Sequence, residues 1–227
     1  MESIHEETYK GYTVKIIQDD DGDNPRNWDN AGKMVCWHSR HNLGDEQPKV
    51  DPITYLCGIL GLDSDDYSQS RGSLDLVMGK MEKDYIVLPL YLYDHSGISI
   101  STSHDYPYND RWDAGQVGFI YISKKDAVKE WGKKIFTKTV EAKAVKYLED
   151  DVETYNDYLT GNVYGYEICD EDDEVLASCW GFYPDHDDKS GYAYCLQEAK
   201  SEVDWLVKGK NDAKQEAAQI QETIGQE

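Results

Sequence analysis

The stretch KTVEAKAVKYLEDDVETYNDYLTGNVYGYEICDEDDEVLASCWGFY, residues 138–183, decides how this chain folds. Its first half places Val145, Leu148, Val152, Tyr155 and Leu159 three or four residues apart. That spacing draws one apolar stripe down a helix over 138–160. Gly161 follows, the residue type that ends helices by adopting a left-handed conformation. The second half changes period. NVYGYEIC (162–169) and EVLASCWGFY (174–183) are rich in β-branched and aromatic residues and flank an acidic turn, DEDD, so they read as a β-hairpin. A long amphipathic helix running into a hairpin points to an α+β fold.

The flanking sequence agrees. GQVGFIYIS (115–123) is the clearest strand, and Ser123 caps a short helix with Asp126 three residues on and Gly132 at its end. YIVLPLYLY (85–93) and GISIST (97–102) read as a second hairpin about Asp94-His95-Ser96, with Pro89 assigning the first strand to an edge or a bulge. Further upstream, YTVKIIQ (12–18) and MVCW (34–37) read as strands separated by the loop DDDGDNPRNWDNAG (19–32). DPITYLCGIL (51–60) starts a helix on Asp51 and Pro52, and SLDLVMGKMEK (73–83) starts one on Ser73. A last helix, 192–208, turns Leu196, Ala199, Val203 and Leu206 inward. The expected architecture is one α+β domain over 1–209, a mixed or antiparallel sheet with hairpins packed by three to five helices. A polar tail, 210–227, is either a helical extension or frayed. Trp112, Trp131, Trp180 and Trp205 are expected in the core or at its margin.

Composition limits the function classes. Hydrophobic residues are 39% and aromatic residues 12% of the 227, enough for a packed core. No apolar run approaches a membrane span, and MESIHEETYKGY lacks the basic start and apolar core of a signal peptide, so a soluble, cytoplasmic protein is expected. The chain has 45 acids against 23 Lys and Arg, a formal net charge of −22. Direct binding of DNA or RNA over most of the surface is excluded, because phosphate affinity comes from Lys and Arg.

The charge is also uneven. Between Lys146 and Lys189 there is no Lys or Arg, and the window 147–188 holds fourteen acids. Those marked as a partner-binding surface are Glu149, Asp150, Glu153, Asp157, Asp170, Glu171, Asp172, Asp173, Glu174, Asp185, Asp187 and Asp188. The preceding segment, 124–146, is locally +5. Glu149, Glu153 and Asp157 stand four apart on one helix face, about 6 Å apart along its axis. Each such like-charged pair costs a helix roughly 0.2–0.5 kcal/mol, so folding alone does not ask for the stripe. The competing reading is a well-solvated acidic face with no specific partner.

Candidate chemistry is sparse. DDDGD (19–23) lacks the sixth-position Gly and twelfth-position Glu of a calcium loop. His38-x-x-His41 beside Cys36 has the residue types of a metal site or a thiol–imidazole pair, and equally of a polar strand end. Asp94-His95-Ser96 holds the three residue types of a hydrolase triad, but contiguous residues diverge, which favours a hairpin turn. There is no HExxH, phosphate loop, GxGxxG or GxSxG. No metal and no cofactor are expected. The five cysteines are widely spaced, and Cys36, Cys57 and Cys179 lie in apolar runs, as small buried hydrophobes do.

Three segments carry a resemblance: NPRNWDNAGKMVCWHSRHNLGDEQ (24–47), YDHSGISIST with RWDAGQVGFIYISKK (93–102 and 111–125), and VETYNDYLTGNVYGYEI with SCWGFYPD (152–168 and 178–185). Together they resemble a family of bacteriophage and mobile-element proteins with no established activity. The resemblance implies a small non-structural protein acting inside a bacterial cell, and it supplies no catalytic residues. Small acidic phage proteins are similar in strategy to inhibitors that fill the basic nucleic-acid groove of a restriction enzyme, a CRISPR effector or another host nuclease.

The expectation is therefore a non-enzyme whose acidic face occupies the basic groove of a host nucleic-acid-binding defence protein. The alternative is a small-molecule-binding or hydrolytic phage protein with a pocket near Cys36, His38, His41 and His95. A scaffold whose acidic face only repels is a third reading, and a homodimer is open.

Overall fold

The computed structural model describes residues 2–67, 73–94, 97–103, 114–184 and 191–224. The fold is α+β, with all strand pairs antiparallel in two four-stranded sheets and five α-helices among the described residues. Where the sequence reading placed one domain over 1–209, the chain forms two compact units. One is 24–160; the other joins 1–23 to 161–227. Each builds its own sheet.

In the 24–160 unit the sheet runs β3–β6–β4–β5, with β3 Lys33–Cys36, β4 Tyr85–Asp94, β5 Ile98–Ser101 and β6 Ala114–Ser123. Helices cover both faces. On one, Val35, Phe119 and Tyr121 meet Leu56 and Cys57 of α1 (Pro52–Leu60) and Val77 and Met81 of α2 (Ser73–Met81). On the other, Met34, Cys36, Ile120 and Ile122 meet Ala127 of α3 (Lys124–Glu130) and Val140, Ala144, Leu148, Val152 and Tyr155 of α4 (Lys138–Thr160). Two buried faces explain why β6 reads as a continuous apolar run rather than an alternating one.

Local chemistry sets the boundaries. The Asp51 carboxylate accepts the backbone N–H groups of Ile53 and Thr54 at the start of α1, and Gly61 ends it with φ +65°. The Ser123 hydroxyl accepts the Asp126 N–H at 3.0 Å. Pro89 lies in the half of β4 that pairs with β6 alone, since β5 pairs only from Tyr91 onward, and a register shift follows at Leu90/Tyr91. Pro89 thus sits where β4 has one paired neighbour, an edge-like position within a strand that is internal as a whole. Gly118 is obligatory in β6: a Cβ there would sit 2.0 Å from the Val35 carbonyl oxygen.

In the second unit the order is β1–β2–β7–β8, with β1 Ser3–Tyr9, β2 Tyr12–Gln18, β7 Tyr164–Cys169 and β8 Val175–Phe182. One face packs on α5, Ala193–Ile224, through Val14, Ile16, Tyr166 and Ile168 against Cys195, Ala199 and Val203. The tail is thus helical, a continuation of α5 through Ile224. Strand β1 has no sequence signal of its own. It is an edge strand with alternating half-buried and exposed residues, and Lys10 and Gly11, both at positive φ, turn it into β2.

Two aromatic expectations change. Trp205 is 68% exposed and Trp180 38% exposed, because α5 and β8 present them away from the core cluster. Trp131 packs at the margin of the larger core as expected. Trp112 lies outside the described residues.

Candidate binding surfaces

The acidic stripe on α4 is shorter than its spacing suggests. Glu149 and Glu153 are exposed and Asp150 is half-buried, but Asp157 is buried, with 8% of its surface exposed. The correction has a geometric cause. Asp157 lies about 140° and 160° round α4 from Val152 and Tyr155, so what covers it is the chain packed beside the end of α4, not the helix's own apolar stripe. Glu149, Asp150 and Glu153 line a cavity of about 470 Å³ between α4 and β5, with Lys146 and the serines 99 and 101. Asn156 fixes the two walls: its side-chain oxygen accepts the Ile100 N–H at 2.9 Å. Lys146 pairs with Asp150 at 2.8 Å, and Glu149 and Glu153 stand exposed beside that pair.

The second cluster belongs to the other unit. Asp170 organises the β7–β8 turn, its carboxylate accepting the N–H groups of Asp172 and Glu174, each at 3.0 Å. Asp173 takes the left-handed residue of that turn, φ +62°, and its carboxylate pairs with Lys15 at 2.5 Å. Glu171, Asp172 and Glu174 are exposed. Asp185, Asp187 and Asp188 lie outside the described residues. In the same unit the loop Asp19–Asp23 forms a cavity of about 400 Å³ with Trp180 and Gly181. Asp19 anchors that loop, accepting the Gly181 N–H at 3.0 Å, and Tyr183 donates its hydroxyl to the Asp23 carbonyl at 2.5 Å.

Asp151, one of the fourteen acids in the window, is not a surface group. It is buried and pairs at 2.5 Å with Arg26, which also binds both oxygens of Asp45 at 2.8 Å and the Gly32 carbonyl at 2.9 Å. Burial pushes the Asp151 carboxyl up, against the pull of Arg26. Burial also opposes the charge on Arg26, and the hydrogen bonds to Asp45 together with the Asp151 carboxylate outweigh it. The knot ties the segment 24–46 to α4. No spacing in the sequence announces it, because its three side chains come from distant loops and a helix.

The alternative pocket is partly assembled. His38 and His41 stack with ring centres 5.0 Å apart, and Asp94 faces both, 3.9 Å from His38 Nε2 and 3.5 Å from His41 Nε2. Arg40 pairs with the same carboxylate. His38 Nδ1 accepts the N–H groups of Arg40 and His41, so its proton sits on Nε2, toward Asp94. Burial, then the neighbouring His41, holds the His38 pKa below its usual value. Cys36 does not join them: it is fully buried, and burial pushes its thiol up to about 12, far from a nucleophile's range. His95 lies outside the described residues. Among the described residues no group of three His, Cys, Asp or Glu side chains has the geometry to hold a metal ion, and no helix is long and apolar enough to cross a membrane. Cys57 is buried as expected, whereas Cys179, on β8 at the end of its sheet among the described residues, is exposed.

Comparison with protein-family models, curated proteins and solved structures gives no match to this chain.

Proposed function

We propose that this chain is an acidic binding protein, not an enzyme, that occupies the basic nucleic-acid-binding groove of a host defence protein in an infected bacterial cell. The observation that carries the reading is the exposed pair Glu149 and Glu153 beside Asp150, on the rim of a groove whose lysine is already neutralised by an acid of its own helix. Those carboxylates, four apart, repel one another along α4. A cationic groove compensates that repulsion and releases its own counterions on binding, whether the anion is a phosphate or a carboxylate. The acidic β7–β8 turn, with Glu171, Asp172 and Glu174 exposed, is a second point of the same sign. The setting in a phage or mobile element rests on the motif resemblance. Steering by such charge makes association fast and strongly salt-dependent.

The test is capture from bacterial lysate on the immobilised chain, set against a variant carrying Glu149→Lys, Glu153→Lys and Asp172→Lys. Circular dichroism checks that the variant is folded. A nucleic-acid-binding protein held by the wild type and lost by the folded variant supports the reading. Equal capture by both contradicts it.

A further inference from the structure

We infer that the free edge of β8 docks an extended segment of a partner protein, a segment apolar or threonine-rich in its middle and carrying Lys or Arg at both ends. The inference stands apart from the α4 surface. Among the described residues strand β8 is terminal in its sheet and pairs with β7 alone. Its sequence, VLASCWGF, contains no charge and no proline, the usual devices that blunt a sheet edge. Val175, Leu176 and Trp180 are exposed by 53%, 42% and 38%. Register shifts at Tyr164/Tyr166 and Ile168/Cys169 bracket a stretch, Ala177–Cys179, that runs in step with β7. An added strand centres there, with main-chain hydrogen bonds supplying affinity.

The ends decide the occupant. Before β8 comes the turn Asp170–Glu174, and at its far end lies the loop Asp19–Asp23, held there by the Asp19 bond to Gly181. The loop's cavity is lined by Trp180, Gly181, Gly22 and four aspartates, Asp19, Asp20, Asp21 and Asp23, a setting that suits a guanidinium or ammonium group. A second copy of this chain does not fit. Antiparallel self-pairing about a two-fold axis lays the acidic turn of one copy along the acidic loop of the other. The acidic ends therefore bar self-association and select a strand with basic ends.

The probe is a synthetic peptide of alternating Thr and Val between a Lys pair and an Arg pair. Two controls carry Glu in place of the basic residues, or Pro at the centre. Binding is followed by fluorescence anisotropy and by amide exchange over 175–182. The basic-ended peptide is expected to bind and to slow exchange across β8, and both controls to lose binding. Reversal to Lys at Asp20, Asp21, Glu171 and Asp172, exposed acids outside the Asp19, Asp170 and Asp173 contacts, is expected to weaken the basic-ended peptide by roughly tenfold or more and to admit the Glu-ended one. Glu149→Lys with Glu153→Lys is expected to leave peptide binding unchanged, which separates this inference from the proposed function. Binding that survives central Pro, protection confined to residues outside β8, or a stable dimer protected along β8 would overturn it.

Discussion

At the residue scale, burial rather than residue type assigns each reactive group its role. Cys36 has histidines two and five residues away in sequence, yet it lies in the core with its thiol pushed up to about 12, while Cys179, in an equally apolar run, is exposed. A water-soluble thiol reagent is therefore expected to label one cysteine per native chain, at Cys179, and all five after denaturation. Rapid native labelling at Cys36 would contradict the burial described. His38 makes a second prediction. Its folded pKa lies below the usual value of 6.5, through burial and then His41, with Asp94 opposing and Arg40 assisting. The unfolded chain thus binds the proton more readily. The stability held by neutral His38 is complete above pH 6.5 and is lost as pH falls through the lower folded value. Titration of the His38 ring by NMR is expected to give a midpoint under 6.5, and a midpoint above it would contradict the packing.

At the scale of elements, most boundaries are legible because single residues enforce them. Asp51 and Pro52 start α1, Ser123 starts α3, and Gly161 ends α4 at a φ of +74°. What escapes the sequence has identifiable causes. Strand β1 is an edge strand with one large apolar or aromatic side chain per face, Ile4 and Tyr9, so no alternation of apolar residues marks it. Strand β8 is apolar without being buried, so Cys179 and Trp180 look like core residues on composition alone. Of the acidic stripe, Glu149 and Glu153 follow from helical spacing, whereas the burial of Asp157 depends on which elements pack beside α4. The meeting of Asp94 with His38 and His41 depends on the order of strands in the sheet, which local sequence does not encode. The β3–β6 pair offers a sharp test of the described packing. Gly118→Ala drives a methyl against the Val35 backbone and is expected to cost about 1–3 kcal/mol in chemical denaturation. Gly115→Ala, in the same strand with open space beside it, is expected to cost far less. Equal costs would mean that the close approach of the two strands is not as described.

At the scale of the whole molecule, the net charge of −22 is distributed with a pattern. Lys146 pairs with Asp150 in one unit and Lys15 with Asp173 in the other, and Glu149, Glu153 and the acids of the β7–β8 turn are exposed. A solvated surface also carries such residues; on the proposed function they meet a cationic partner, whose natural ligand then competes for the same groove. The direct measurement is competition between this protein and a duplex oligonucleotide for the captured partner, across a series of salt concentrations. The account predicts mutual displacement, with both affinities falling steeply together as salt rises. A ternary complex of partner, duplex and this protein, or binding indifferent to salt, would contradict it.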